Sequence, residues 1–250
     1  FKLVSTSDVL IENYRPGVVK RIGIDYETLK KYNPEIIYLS LTGYGQSGPY
    51  SKKRVYDPLI QATAGSAAAQ NSKNPEFFRS VVFDKVSGLT SAQAITAAIV
   101  QKEKTGKGQY IPISMLDSAL YYLWPDVWWS RVWLEEGSVH AGELADYFPI
   151  FNAKDKSVIV ALVADPHFEA FCKVIDSKLY EDPKFSSFAQ RLINQKELVK
   201  KINFHLANIE SKVLCKELDE LGIPVSTVNQ LDDVHLDEQV IDQKSLVEPT

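Results

Sequence analysis

The sequence is poor in the residues that build disulfide frameworks and metal centres. It has two cysteines, Cys172 and Cys215, far apart and in no CxxC spacing. That excludes a disulfide-dense scaffold and predicts reduced thiols in a cytosolic setting. No two of its four histidines, His140, His167, His205 and His235, stand at metal-ligand spacing, and none forms a ligand motif with a cysteine. A metal site is not expected on that pattern. Positive charge is not in excess: 28 Lys and Arg against 32 Asp and Glu leave a net charge of −4. That leaves no electrostatic footprint for nucleic acid and no pull toward an anionic membrane. A long hydrophobic run is missing too. The most apolar window, 119–133, is broken by Pro125 and Asp126 and is too short to span a bilayer. No signal-peptide pattern, internal repeat or low-complexity tract is visible. The expectation is a cytoplasmic protein. At 250 residues, with 45% hydrophobic content, it has material for one or two domains.

What is there is organised around residues 79–120. Arg79-Ser80-Val81-Val82-Phe83 is short and apolar and predicts a strand. A helix is predicted from Asp84 to about Lys104, with Val86, Leu89, Ala94, Ala97, Ala98 and Val100 at roughly helical spacing. Gly106 stands where a helix stop is expected. A strand over 109–114 and a second helix from Met115 follow, the latter helical or bent-helical to about Trp133. Within it Trp124 and Trp128, and Trp129 and Trp133, stand four apart. Each pair would share a face, as core, interface or substrate wall. Asp84 thus sits at a helix N-terminus, where free N–H groups and the dipole favour an ionised carboxylate by about 0.3–1 kcal/mol. Such a group is either a nucleophile or simply an N-cap, and spacing alone leaves both open.

Upstream, 8–13 and 36–42 read as buried strands, and Arg15-Pro16-Gly17 as a helix start. Gly43-Tyr44-Gly45-Gln46-Ser47-Gly48 is a literal GxGxxG after a strand. A dinucleotide fingerprint needs a helix to begin inside those glycines, whereas Pro49 to Arg54 reads as a loop. Lys52, Lys53 and Arg54 form a basic cluster, either a solvated loop tip or a phosphate clamp. A helix is expected over 56–69. Composition shifts at 135–145. Beyond it a hairpin (147–153 with 157–163), helices at 166–175, 195–208 and 211–221, and an extended 222–226 describe a smaller α+β unit.

Taken together, DVLIENYRPG (8–17), NPEIIYLSLTGYGQSGPY (33–50), YDPLIQATAG (56–65), EKTGKGQYIPISMLDS (103–118) and GIPVSTVN (222–229) resemble the family III CoA-transferases and the related alpha-methylacyl-CoA racemases. The likeness covers nearly the whole chain. It implies an α/β fold with a Rossmann-like large domain, incomplete at its N-terminus, and a smaller α+β domain. The corresponding division is residues 1–134 as a partial CoA-binding domain, 135–145 as linker, 146–228 as the small domain and 229–250 as a return linker. Against the family pattern the chain lacks the first strands and the C-terminal return. With Phe1 in place of an initiating Met, it is expected to be cut from something longer.

The resemblance also implies an interlocked homodimer, no permanently bound cofactor, and coenzyme A as part of the substrate. It places Asp84 on the catalytic aspartate. Asn13, Tyr14, Arg15, Arg21, Arg54 and Tyr56 fall on CoA-site or active-site positions. The racemases carry a proton-transferring histidine where this chain has Tyr56, a poor base at neutral pH. That departure favours transfer. Ala164-Asp165-Pro166-His167-Phe168, by contrast, resembles a racemase segment. The glycine-rich active-site loop of some transferases would fall near 140–144, with oxyanion donors expected around Gly137 and Gly142. The implied reaction is CoA transfer through Asp84. The alternatives are an acyl-CoA racemase or epimerase, and a catalytically silent CoA-binding subunit.

Overall fold

A computed structural model describes residues 1–137 and 147–246. The chain divides into two compact units, residues 1–141 and 142–250.

In the first unit three parallel strands, β1 (Val9–Glu12), β2 (Ile37–Thr42) and β3 (Gln109–Ser114), lie in the order β1-β2-β3. The central β2 is the most apolar, and Ile37, Tyr38 and Leu39 are essentially inaccessible. This is the pattern of a strand covered on both faces. Pro112 is tolerated in β3 because among the described strands it lies at the edge, where a missing N–H costs no ladder bond. Two short helices, α1 (Val18–Ile22) and α2 (Tyr26–Leu29), connect β1 to β2.

The connection from β2 to β3 carries α3 (Asp57–Thr63), α4 (Ser66–Gln70) and α5 (Val82–Thr105). Gly65, at φ 85°, separates α3 from α4 where one continuous helix was expected. At 24 residues α5 is about 36 Å long and runs the full height of the sheet. Its far end is fixed by Gly106 at φ 65°, whose N–H donates to the Lys102 carbonyl at 2.8 Å. There Lys102 pairs with Asp8 at 2.9 Å, just before β1 begins. With its C-terminus tied to the N-terminal edge of the sheet, α5 presents its N-terminus, and Asp84, at the opposite edge.

Three expectations are corrected here. Residues 79–83 form no strand. Val82 already opens α5, and Phe83 is a fully buried core residue beside Ile60, Met115 and Leu123. Asp84 is therefore inside the first turn rather than at the cap. The reason lies elsewhere in the chain: the Asp57 carboxylate accepts the N–H groups of Phe83 and Asp84, so the helix starts earlier than local propensity suggests. The buried face of α5 keeps only part of the expected apolar set, including Ala98 and the partly buried Val86. Phe83, Ser87, Ser91 and Ala98 are buried, whereas Leu89 and Val100 are exposed. Ser and Ala permit the close helix–sheet approach that larger side chains would prevent. Finally, α6 (Met115–Leu123) stops well short of Trp133. Pro125 forces Trp124 into an extended conformation (φ −84°, ψ 135°), so the tryptophans four apart do not share a helical face.

The turn into β3 packs directly against backbone. A Cβ on Gly108 would overlap the Ile36 carbonyl oxygen, which is backbone and cannot swing aside. Gly108→Ala is expected to lower stability by about 1–3 kcal/mol, the cost of overpacking. Chemical denaturation of the purified protein checks it, and an unchanged midpoint would contradict this account.

The second unit holds an antiparallel sheet, β4 (Ile150–Asn152), β5 (Ser157–Val160) and β6 (Val225–Thr227), in that order. The helices are α7 (Asp165–Val174), α8 (Phe188–Ile193), α9 (Gln195–Leu206), α10 (Ser211–Glu220) and α11 (Glu238–Asp242). Its core is Phe151, Val158, Val160, Phe168, Phe171, Ile202, Leu214 and Leu218. The expected hairpin, its helices and the extended segment after Gly222 are all present, with shorter strands. Residues 229–250, expected to be a linker, carry a 3-10 stretch (Leu231–Leu236) and α11 as far as they are described. Most of the expected linker 135–145 lies outside the described residues. Among the described residues no helix is long and apolar enough to cross a membrane.

Candidate active site

In open parallel sheets the space beyond the strand carboxyl ends is where ligands are held. The first unit follows that rule. A cleft of about 530 Å³ opens there, walled by the chain just after β1 (Asn13 to Pro16), the end of β2 (Leu41 to Gly43) and Met115 after β3. Ser51, Lys53, Arg54, Val55 and Tyr56 from the loop before α3 close one side, and Asp84 from the first turn of α5 projects from another.

Each wall has a local cause. At the end of β1, Glu12 is almost fully buried; its carboxylate accepts the Tyr14 N–H at 2.8 Å and the Ser40 hydroxyl. Gln46 Nε2 in turn donates to Ser40 Oγ at 2.7 Å. This chain of bonds fixes the backbone that presents Asn13, Tyr14 and Arg15. The glycine-rich loop 43–48 has a packing role: a Cβ on Gly43 would fall on the Val55 side chain, so glycine lets the 51–56 loop lie across the end of β2. The next helix begins only at Asp57, far past the glycines, and no helix N-terminus meets a pyrophosphate there. Lys53 lies over the Tyr50 ring, its Nζ 3.5 Å from the centroid. The basic loop is thereby partly ordered without being neutralised.

Asp84 is solvent-exposed on its open side, yet its carboxyl is held above the usual aspartate range. Partial desolvation is the larger cause and the nearby Asp57 charge the second. Asp57 is itself buried. Its Oδ2 accepts the N–H of Phe83 at 2.6 Å and of Asp84 at 3.2 Å, while its Oδ1 accepts from Gln61 Nε2 at 2.5 Å. The arrangement is a carboxylate of raised basicity in a cleft whose rim carries Arg15, Lys53 and Arg54. That suits attack on an electrophilic carbonyl whose remainder bears negative charge.

Of the residues expected from sequence, Asn13, Tyr14, Arg15, Arg54, Tyr56 and Asp84 all line this one cleft. Arg21 does not: it is exposed in the last turn of α1 and outside the lining. The expected glycine loop at 140–144, with Gly142, falls outside the described residues; Gly137 is described, in a turn at φ 87°. Ser51 and Met115 line the cleft without having been singled out for it, Lys53 lines it as a member of the cluster read as loop tip or phosphate clamp, and Glu12 and Asp57 support it from beneath. The basic run at 52–54 was the signal for Lys53. Met115 and Asp57 lie within the motifs quoted above, but nothing in local sequence assigned either a role in the site.

Comparison with known proteins agrees on one family. The sequence model of CoA-transferase family III matches residues 1–250. An acetyl-CoA:oxalate CoA-transferase from Acetobacter aceti is 32% identical over 90% of this chain and 59% of its own length. A succinyl-CoA:glutarate CoA-transferase from Mus musculus is also 32% identical, over 96% and 56% respectively. The chain thus spans between half and two thirds of these relatives. A solved structure of a CAIB/BAIF family protein from Brucella suis superposes with a TM-score of 0.84 at 27% identity, covering 99% of this chain and 67% of that one.

Proposed function

The chain belongs to CoA-transferase family III, and on that premise we propose that the protein containing it moves CoA from an acyl-CoA thioester to a carboxylic acid by covalent catalysis on Asp84. The observation that carries this reading is the single cleft that gathers Asp84, Tyr56, Asn13, Tyr14, Arg15 and Arg54. The Asp84 carboxylate attacks the donor carbonyl, expels CoA thiolate and becomes a mixed anhydride. The thiolate attacks the Asp84 carbonyl of that anhydride, giving an aspartyl-CoA thioester and releasing the donor acid. The acceptor carboxylate attacks the aspartyl thioester, again expelling thiolate, which then attacks the acceptor acyl carbonyl of the new anhydride. Acyl-CoA leaves and Asp84 is restored. No net proton or electron is consumed, so the cycle calls for no redox group. Arg15, Arg54 and Lys53 are the cations available for CoA phosphate, and Tyr14 is an aromatic surface beside them. The two relatives named above point to a small dicarboxylic acid as acceptor.

A second copy of the chain is the partner we propose. Leu89, Tyr121, Trp133 and Leu134 are each more than 65% exposed in the isolated chain, and they are apolar surface that a second copy would cover.

Incubating the full-length protein with a panel of acyl-CoAs and analysing it by intact and peptide mass spectrometry tests the proposal. An acyl or CoA adduct confined to the peptide containing Asp84 is the expected result. Transfer without any adduct there, or α-proton exchange in D₂O in the absence of an acceptor acid, would overturn it.

A further inference from the structure

We propose that Asp57 is a positioning residue for this site: its buried carboxylate clamps the first turn of α5, aims Asp84 into the cleft, and sets its own charge against that of Asp84. This rests on the reading of Asp84 as the nucleophile and extends it to a residue outside the cleft lining.

The geometry is specific. Asp57 is 1% exposed, and both its oxygens are used: Oδ2 by the Phe83 and Asp84 N–H groups, Oδ1 by Gln61. Gln61 is buried as well. Its Nε2 also donates to the Ser80 carbonyl at 3.1 Å, and its Oε1 accepts the Phe78 N–H at 2.8 Å. One carboxylate–amide pair on α3 thus grips the chain at Phe78, Ser80, Phe83 and Asp84. A structural cap for α5 alone would need no second grip on the segment leading into it, and an Asn or Ser at Val81 would do the same with less burial.

Burying a carboxylate is costly, and its placement beside a second carboxylate makes it more so. The arrangement becomes useful once Asp84 is acylated. The anhydride and thioester forms of Asp84 carry no charge, so repulsion from Asp57 falls when the bond to substrate forms. The neighbouring charge therefore favours acylation and raises the basicity of the attacking oxygen. The other groups facing Asp84 do not supply this. Arg15, Lys53, Arg54 and Tyr56 stand across the cleft, Lys85 donates to Ser80 Oγ at 3.1 Å, and α6 carries Asp117, Tyr121 and Tyr122. Among all of these, Asp57 is the charge that raises the Asp84 carboxyl, after desolvation.

The test uses Asp57→Asn and Asp57→Ala in the full-length protein, with three readouts: the carbon-13 NMR titration of the Asp84 carboxyl, the pH profile of kcat/KM, and CoA affinity. In Asp57→Asn, loss of the charge is expected to move the Asp84 midpoint and the acid limb of the profile to lower pH together, with CoA affinity unchanged. In Asp57→Ala, loss of the clamp is expected to cut kcat about 10²-fold, the scale of a 1 Å misplacement. An Asp84 midpoint that stays put in Asp57→Asn, or wild-type kcat in a folded Asp57→Ala, overturns the proposal. A lower rate with an unmoved acid limb does so too, because a purely structural cap gives that result. If Asp57→Ala does not fold, the isosteric Asn variant decides. The NMR titration needs no turnover, so it gives its answer even if the wild-type protein transfers no CoA.

Discussion

Replacing Asp84 with Ala or Asn in the full-length protein lowers CoA transfer by at least about 10⁴-fold while leaving CoA affinity nearly intact. The magnitude follows from removing the proposed nucleophile, which in that cycle forms three covalent intermediates (two anhydrides and one thioester), and losses of about 10⁴- to 10⁶-fold are usual for such a group. CoA affinity is spared because the cations and the aromatic surface of the cleft, Arg15, Lys53, Arg54 and Tyr14, are untouched. Asn is the more telling variant. It keeps the size and helix position of the side chain and removes only its charge and nucleophilicity. Stability changes little, and its direction is set by the raised Asp84 carboxyl. A group whose folded-state pKa lies above its unfolded value stabilises while protonated and loses that contribution as pH rises through the folded value. At neutral pH the ionised Asp84 is therefore a small cost, so Asp84→Asn does not lower the unfolding midpoint. The same shift puts the acid limb of wild-type activity above the ordinary aspartate range. Assays with a radiolabelled acceptor acid and thermal unfolding of both variants measure all of this. Residual transfer within tenfold of wild type would mean that another group does the chemistry.

Much of that site was legible in the sequence because its parts follow strong local signals. DVLIE and IIYLSLT are strands by their β-branched content, and each must end at a polar residue. The loop after a parallel strand is where a ligand meets the chain, and Asn13, Tyr14 and Arg15, picked out by likeness, lie there. Gly106 marked the end of α5 and thereby the edge of the sheet to which Asp84 is carried. What could not be read depends on pairings remote in sequence. Asp57 and Phe83 are 26 residues apart, and only the fold shows that the first supplies the acceptor for the second. Without that bond 79–83 reads as a strand; with it, the helix begins at Val82. Glu12 and Ser40 are separated by 28 residues, and their bond shapes the wall that presents Tyr14. Arg21, which lies outside the cleft lining, illustrates the opposite case. A basic residue near a helix C-terminus is common, and sequence alone does not say which side of a five-residue helix faces a cleft.

Arg191→Met is expected to have the largest effect on stability, a loss of about 3–5 kcal/mol confined to the second unit. Arg191 is 4% exposed in α8, and its guanidinium serves three backbone carbonyls: Phe185 at 3.2 Å, Leu162 at 3.1 Å and Val163 at 3.2 Å. It also meets Asp165 at 2.8 Å and lies over the Phe168 ring at 4.5 Å. It therefore joins the chain after β5, the start of α7 and the segment before α8, three pieces with no strand pairing among them. Methionine fills a similar volume and keeps the contact with Phe168, so little cavity forms. What is lost is the donor set. Leu162 and Phe185 are both largely buried, and each carbonyl left without a partner costs about 1–3 kcal/mol. Loss of the Asp165 pair adds less, because that carboxylate is 54% exposed and water replaces the cation. Lysine does not rescue the variant, since a single ammonium cannot reach three carbonyls from one fork. Hydrogen exchange resolves the effect by unit: faster exchange is expected for α7, α8 and α9, with β1, β2 and α5 unchanged. Uniform acceleration through both units, or protection of α7 at the wild-type level, would show that Arg191 is not what holds these segments together.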